Sequence, residues 1–190
     1  MNKDIEYVYG GMELFADTVP LRLRLLDHHS RMSQHFAFYY SPARIEGTKE
    51  FLAECSAREA LHIGLARHTP TARNVGFCIS TVNAEDVGEI FAIWVEDDFK
   101  NRGIGAALSA RALAWLRSRQ AKHLEIHILY ENEEVLSFYD RLGFVPQTIL
   151  LRQVKTTEGS QPEDRDGEPN TVRVQPNARD KRQGSGDKSS

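Results

Sequence analysis

A strongly apolar run, EIFAIWV from Glu89 to Val95, passes through the short polar loop EDDFKN into RGIGAALSARALAWLRSRQ, and this succession restricts the fold more than any other stretch of the chain. The run is apolar on both faces apart from Glu89, which predicts a strand in the middle of a sheet. The segment after it is rich in Ala and Leu, with Ile104, Leu108, Ala112, Trp115 and Leu116 along one side, and predicts a long helix. A strand that feeds a helix through glycines gathers free backbone N–H groups and the positive end of the helix dipole at one point, where a phosphate can be held. Gly103 and Gly105 let the backbone come close. Taken alone, the same pattern also makes a plain strand-to-helix turn.

The surrounding pattern is that of a mixed α/β domain. Ile5 to Tyr9 predicts an opening strand, ended by Gly10-Gly11. Thr18 suits a helix cap and Pro20 a first turn, before Leu21, Leu25, Leu26, His29 and Met32 at helical spacing. A second helix is expected over 49–60, then strands over 61–67 and 74–82 joined by a turn in HTPTA. After the long helix come a strand over 123–129, a helix within 132–143 stopped by Gly143, and a last strand, QTILLRQV, over 147–154. From Lys155 onward there are no aromatic residues, and seven Lys or Arg balance seven Asp or Glu among Gly, Pro and Ser. That composition predicts a disordered polar tail over 155–190, with one folded domain over 1–154.

The formal charge of -3 gives no basic field for nucleic acid. No apolar run approaches membrane-spanning length, and the expectation is a cytoplasmic protein with no membrane partner. Cys55 and Cys78 have neither CxxC spacing nor nearby His or Cys partners, so they read as buried thiols and no metal is expected. His28 and His29, adjacent on a helix, point apart.

The run VEDDFKNRGIGAAL resembles the acetyl-CoA signature of the GNAT superfamily, (R/Q)xxGx(G/A), with Lys100, Gly103 and Gly105 at its marked positions. A second block resembles the family as well: Asn132 precedes a helix ending FYxxxGF, with Phe138, Tyr139, Gly143 and Phe144. The resemblance covers residues 60–154 well and the first helices loosely. It departs at Lys100, where the family has Arg or Gln, and at Asn101, where Gly is common; lysine keeps the charge but loses the planar fork. The resemblance implies a twisted mixed sheet flanked by helices, with acetyl-CoA in a cleft between two central strands. It places the pyrophosphate on the amides of Arg102, Gly103, Ile104, Gly105 and Ala106, with Lys100, Asn101 and Asn132 nearby. The pantetheine arm pairs with Ile93, Trp94 and Val95, and the Val95 N–H faces the thioester oxygen.

Acetyl transfer to an amine needs a neutral nitrogen, a donor for the charge developing on the thioester oxygen, and a proton for the departing thiolate. By resemblance Tyr139 supplies the proton; it also suits packing on the helix's apolar side. Glu89 stands fourteen positions before Gly103, as does the catalytic Glu of the histone-acetylating branch. Desolvation would raise its pKa toward the range a base needs, whereas a solvated place at the strand edge would not. His127 is a second base candidate, five residues before Asn132, although His123, Glu125 and His127 alternate as a solvated face would.

By resemblance the acceptor site is lined by residues 21–56, where Phe36, Phe38, Tyr39 and Tyr40 suit either an amine or the core. Three activities remain in play: acetylation of a primary amine on a small molecule, acetylation of a protein N-terminus or lysine, and acyl-CoA binding without catalysis. A homodimer is compatible with any of them.

Overall fold

The computed structural model describes residues 3–130 and 132–154. Five strands form one sheet in sequence order: β1 Ile5–Gly10, β2 Leu61–His68, β3 Arg73–Val82, β4 Val87–Val95 and β5 His123–Ile126. The first four pair antiparallel, and β5 joins β4 in parallel after the crossover through a helix that parallel pairing requires. The helices are α1 Phe15–Met32, α2 Arg44–Ala57, α3 Ile104–Ser118 and α4 Leu136–Asp140.

Two cores lie on opposite faces of this sheet. On one, Val75, Cys78, Val82 and Ile90 meet Ile104, Leu108, Ala112, Leu113 and Leu116 of α3. On the other, Ile63, Leu65, Phe77, Ile79 and Trp94 meet Phe15 and Leu21 of α1 and Ile45, Leu52 and Cys55 of α2. Leu52, Leu65, Leu108 and Leu116 are each at most 1% exposed, and burying such a side chain contributes about 1.5–3 kcal/mol. Truncating Leu116 to Ala would cost about 2–5 kcal/mol, since the close-packed helix cannot collapse onto the gap.

Several boundaries differ from the sequence expectation for identifiable reasons. A 3-10 turn at Met12–Leu14 runs directly into α1, so Pro20 lies inside the helix and Thr18 does not cap it; the Thr18 hydroxyl instead donates to the Phe15 carbonyl at 2.7 Å. Proline removes the hydrogen bond to the Ala16 carbonyl, and both residues lie on the exposed side of the helix. The second helix starts at Arg44 rather than residue 49 because Ser41-Pro42 opens its first turn, with Ile45 N–H donating to the Pro42 carbonyl at 3.0 Å. It closes where Glu59 takes φ 54° and the Ala60 N–H returns to the Cys55 carbonyl at 2.8 Å.

Two corrections concern strands. β5 ends at Ile126, short of the expected Leu129. The strand expected over 147–154 does not form: that segment has no ladder partner, and Ile149, Leu150 and Leu151 are 71%, 58% and 87% exposed. A β-prone composition makes a strand only where an edge accepts it. Arg152 instead reaches Tyr39, donating to its hydroxyl at 3.3 Å. The tail expected over 155–190 lies outside the described residues.

Candidate active site

The site begins with an irregularity in β4. Ile79 of β3 pairs with Ala92 and Ser80 with Ile90, so Phe91 is an extra residue, and both Phe91 and Ala92 pack toward α1 and α2. A bulge of this kind bends its strand and sharpens the twist. The β4–β5 ladder ends just before it, at Ile90↔Ile126, while β4 runs on to Val95. The two strands therefore part at the bulge, which also explains why β5 is short.

Beyond the bulge β4 presents backbone toward the gap. The Glu96 N–H donates to the Val75 carbonyl of β3 at 2.9 Å. In an antiparallel ladder the direction alternates, so Trp94 and Ala92 also bond toward β3, and the N–H and C=O groups of Ile93 and Val95 point away from it. Of the three expected pantetheine contacts, the Ile93 and Val95 backbones face the open side. Trp94 contributes its ring, which packs on His28 with 5.2 Å between centroids.

The loop after β4 turns the chain into α3 through left-handed backbone. Asn101 has φ 59° and Gly103, the residue before α3, has φ 79°. The departure from Gly at position 101 is thereby explained, because asparagine is among the few other residues that tolerate this conformation. No side chain caps α3, so the N–H groups of Ile104, Gly105 and Ala106 have no intrahelical acceptor; the first such bond runs from Ala107 to the Gly103 carbonyl at 3.0 Å. A side chain at Gly103 would meet nothing within 4 Å, and one at Gly105 only Val95 Cγ2 at 3.8 Å. This uncapped, open helix start fits a pyrophosphate, and the free edge of β4 fits an amide-bearing arm leading away from it.

The basic residues of this turn differ in availability. The Lys100 ammonium lies 2.6 Å from Asp97 Oδ1 and 4.7 Å from the centre of the Trp94 ring, drawn toward the α1 side. Arg102 is exposed, with its guanidinium 5.1 Å from the centre of the Phe99 ring.

Tyr139 and Glu89 stand on opposite faces of the sheet. Tyr139 is 6% exposed and packs edge-on against Phe138 and Phe144 at 5.0 and 6.2 Å. Gly143, at φ 87°, ends the α4 turn so that the Phe144 N–H returns to the Tyr139 carbonyl at 3.0 Å. Burial, and then Cys78 on the α3 face, push the Tyr139 hydroxyl above the usual phenol range, so it stays a proton donor. Asn132 is half-buried where the chain turns toward α4, its N–H donating to the Leu129 carbonyl at 2.8 Å.

Glu89 alternates with Ile90 and so faces α2, where its charge reaches Cys55. Burial raises its carboxyl above the ordinary range; His127 pulls it down and Glu125 pushes it up. The two base candidates are thus neighbours rather than alternatives at separate places. Glu125, the register partner of Glu89, escaped the sequence reading because alternation reveals a shared face but not what lies across from it.

In the segment expected to line the acceptor, Phe36, Phe38 and Tyr39 cluster with centroids 4.5–6.4 Å apart, and Tyr40 meets His29 at 5.2 Å. Phe38 is 58% exposed, so this group is not simple core filling. Among the described residues no group of three His, Cys, Asp or Glu side chains is placed to hold a metal, and no helix is long and apolar enough to cross a membrane.

Comparison with known proteins identifies the family. The model of the acetyltransferase (GNAT) family matches residues 29–144, more than half of the chain, and the chain belongs to that family. An uncharacterised N-acetyltransferase of Methanocaldococcus jannaschii is 38% identical over 80 residues, covering 40% of this chain and 35% of the relative. A mycothiol acetyltransferase of Rhodococcus jostii is 29% identical over 118 residues, 57% of this chain and 38% of the relative. The chain therefore spans little more than a third of the length of these two relatives. In fold it is similar to a GCN5-related N-acetyltransferase of Ralstonia eutropha (TM-score 0.61, 17% identity, covering 79% of this chain and 98% of that one). It is also similar to the aminoglycoside N-acetyltransferase AAC(6')-Iy in complex with CoA (TM-score 0.56, 16% identity, covering 80% and 95%).

Proposed function

We propose that this protein transfers the acetyl group of acetyl-CoA to a primary amine of a small molecule. The observation that carries the reading is the free edge of β4, which runs from the β4–β5 parting to the uncapped start of α3. The amides of Ile104, Gly105 and Ala106, with Arg102 beside them, hold the pyrophosphate, and the Ile93 and Val95 backbones hold the pantetheine arm. Asn101 shapes the turn, and Lys100 serves the acceptor side through Asp97 and Trp94 rather than the phosphates.

Bound acetyl-CoA supplies an activated acyl group; the protein supplies placement, a hydrogen-bond donor and two proton-handling groups. Strand spacing divides the labour. At about 3.3 Å per residue, Val95 lies roughly 20 Å along β4 from Glu89, too far for both to serve one reacting centre. Ile93, nearer the parting, is the better donor for charge on the thioester oxygen, and Val95 is left to the pantetheine. Glu89 accepts a proton from the incoming ammonium on the α2 face, and Tyr139 gives one to the departing thiolate from the α3 face.

A small acceptor accords with the compact domain and with relatives named for mycothiol and aminoglycoside acetylation. The test is thiol release from acetyl-CoA across a panel of small primary amines and peptides. Release with small amines, lost in Tyr139→Phe, is the expected result. Release with peptides alone would reassign the acceptor, and CoA binding without release from any amine would leave a binding module.

A further inference from the structure

We infer that Glu125 and His127 are positioning residues that set the pH at which Glu89 works; the inference rests on the proposed role of Glu89 as base. β4 and β5 are joined over only four register pairs, and Glu89↔Glu125 is one of them. Register partners on neighbouring strands share a face, with backbones about 4.8 Å apart. His127 directly follows the last residue of β5, and its charge reaches the Glu89 carboxyl. The half-buried Glu89 carboxyl therefore has one carboxylate directly across the ladder and one imidazole just beyond.

These two neighbours act in opposite senses. A second carboxylate at this range disfavours ionisation of the first, and the imidazolium form of His127 favours it. Among the described residues, the other elements facing Glu89 add no comparable charge. Thr81, its partner on β3, is neutral. From α2 the group within range is the Cys55 thiol, which burial keeps protonated; Arg58, with Nη2 at 3.8 Å from Cys55 Sγ, and Glu54 act on that thiol. Burial makes Glu89 a stronger base than a free carboxylate, and the difference between Glu125 and His127 trims it.

The titration of the Glu89 carboxyl, followed by NMR in the full chain with carbon-13-labelled glutamate and assigned with Glu89→Gln, tests this without substrate. Glu125→Gln should move its midpoint to lower pH and His127→Gln to higher pH. The acidic limb of kcat/KM should move in the same two directions. Both substituted residues are exposed, so folding is expected to survive. A midpoint that stays fixed in both variants, or moves the same way in both, overturns the inference even if Glu89→Gln still shows a rate defect. Should the midpoint move in opposite directions while Glu89→Gln keeps wild-type rates throughout, the base role of Glu89 falls and the inference with it.

Discussion

Along β4 and the start of α3 the binding groups proposed above belong to the backbone: two outward-facing residues at Ile93 and Val95, and three helical N–H groups without a cap. Along α1 and α2 the backbone is consumed by helices, and an acceptor held there would meet side chains such as Phe38, Tyr39 and His28. A backbone site is fixed by strand register and a left-handed turn, which many side-chain choices leave intact. A side-chain site changes with every substitution. The difference teaches why a fold can be shared by proteins 16–20% identical, for its backbone half survives side-chain change.

Gly105→Glu attacks the backbone half directly and should have the largest effect. Its Cβ would make only an ordinary contact with Val95, so the fold should persist while a carboxylate occupies the phosphate position. Acetyl-CoA affinity by calorimetry should fall about 100-fold or more, a loss of about 2.7 kcal/mol, with the melting temperature unmoved. Unchanged affinity would break the comparison at its firmer side.

Tyr139→Phe keeps the buried ring and removes only the proton donor. Turnover should fall about 10²-fold, the usual scale for one proton-transfer group. Acetyl-CoA affinity should not follow, and equal loss of both would mark Tyr139 as a binding residue.

Glu89→Gln should lower the rate by about tenfold in the window above the pH at which the Glu89 carboxyl ionises and below that at which the amine is already neutral, with the deficit shrinking on both sides. Stability should move the other way. The folded state raises the Glu89 pKa, so the contribution of its protonated form is present at low pH and lost as pH rises through the folded value. The variant should therefore melt above wild type at high pH and level with it in acid. A variant less stable at high pH would show that Glu89 is paired in a way the ladder does not reveal.

The smallest effect is expected on the side-chain half. Phe38→Ala should change the acceptor KM by a few-fold, leave acetyl-CoA affinity alone, and alter stability by about 0.5 kcal/mol or less, as exposed positions do. A large loss of stability would return the aromatic group to the core.

How much of this was legible in sequence follows the same division. β4 and α3 announced themselves because seven mostly apolar residues and an Ala/Leu helix leave little choice of place. Gly143 announced the end of α4 because few other residues accept its φ. The bulge at Phe91 was invisible, since an extra residue leaves no mark in a run apolar on both faces, and with it went the early end of β5. Asn101 looked like a departure until its φ was known. QTILLRQV was misread because strand propensity says nothing about whether an edge is within reach. Glu125 was read as a solvated face, for alternation does not identify a partner strand.

Amide hydrogen exchange along β4, with and without acetyl-CoA, tests the central claim most directly. The Trp94 amide is tied to β3 and should be slow in both states. The Ile93 and Val95 amides should exchange faster in the free protein and slow on binding, together with those of Gly105 and Ala106. Binding of acetyl-CoA that leaves Ile93 and Val95 unchanged would place the cofactor elsewhere and contradict the account.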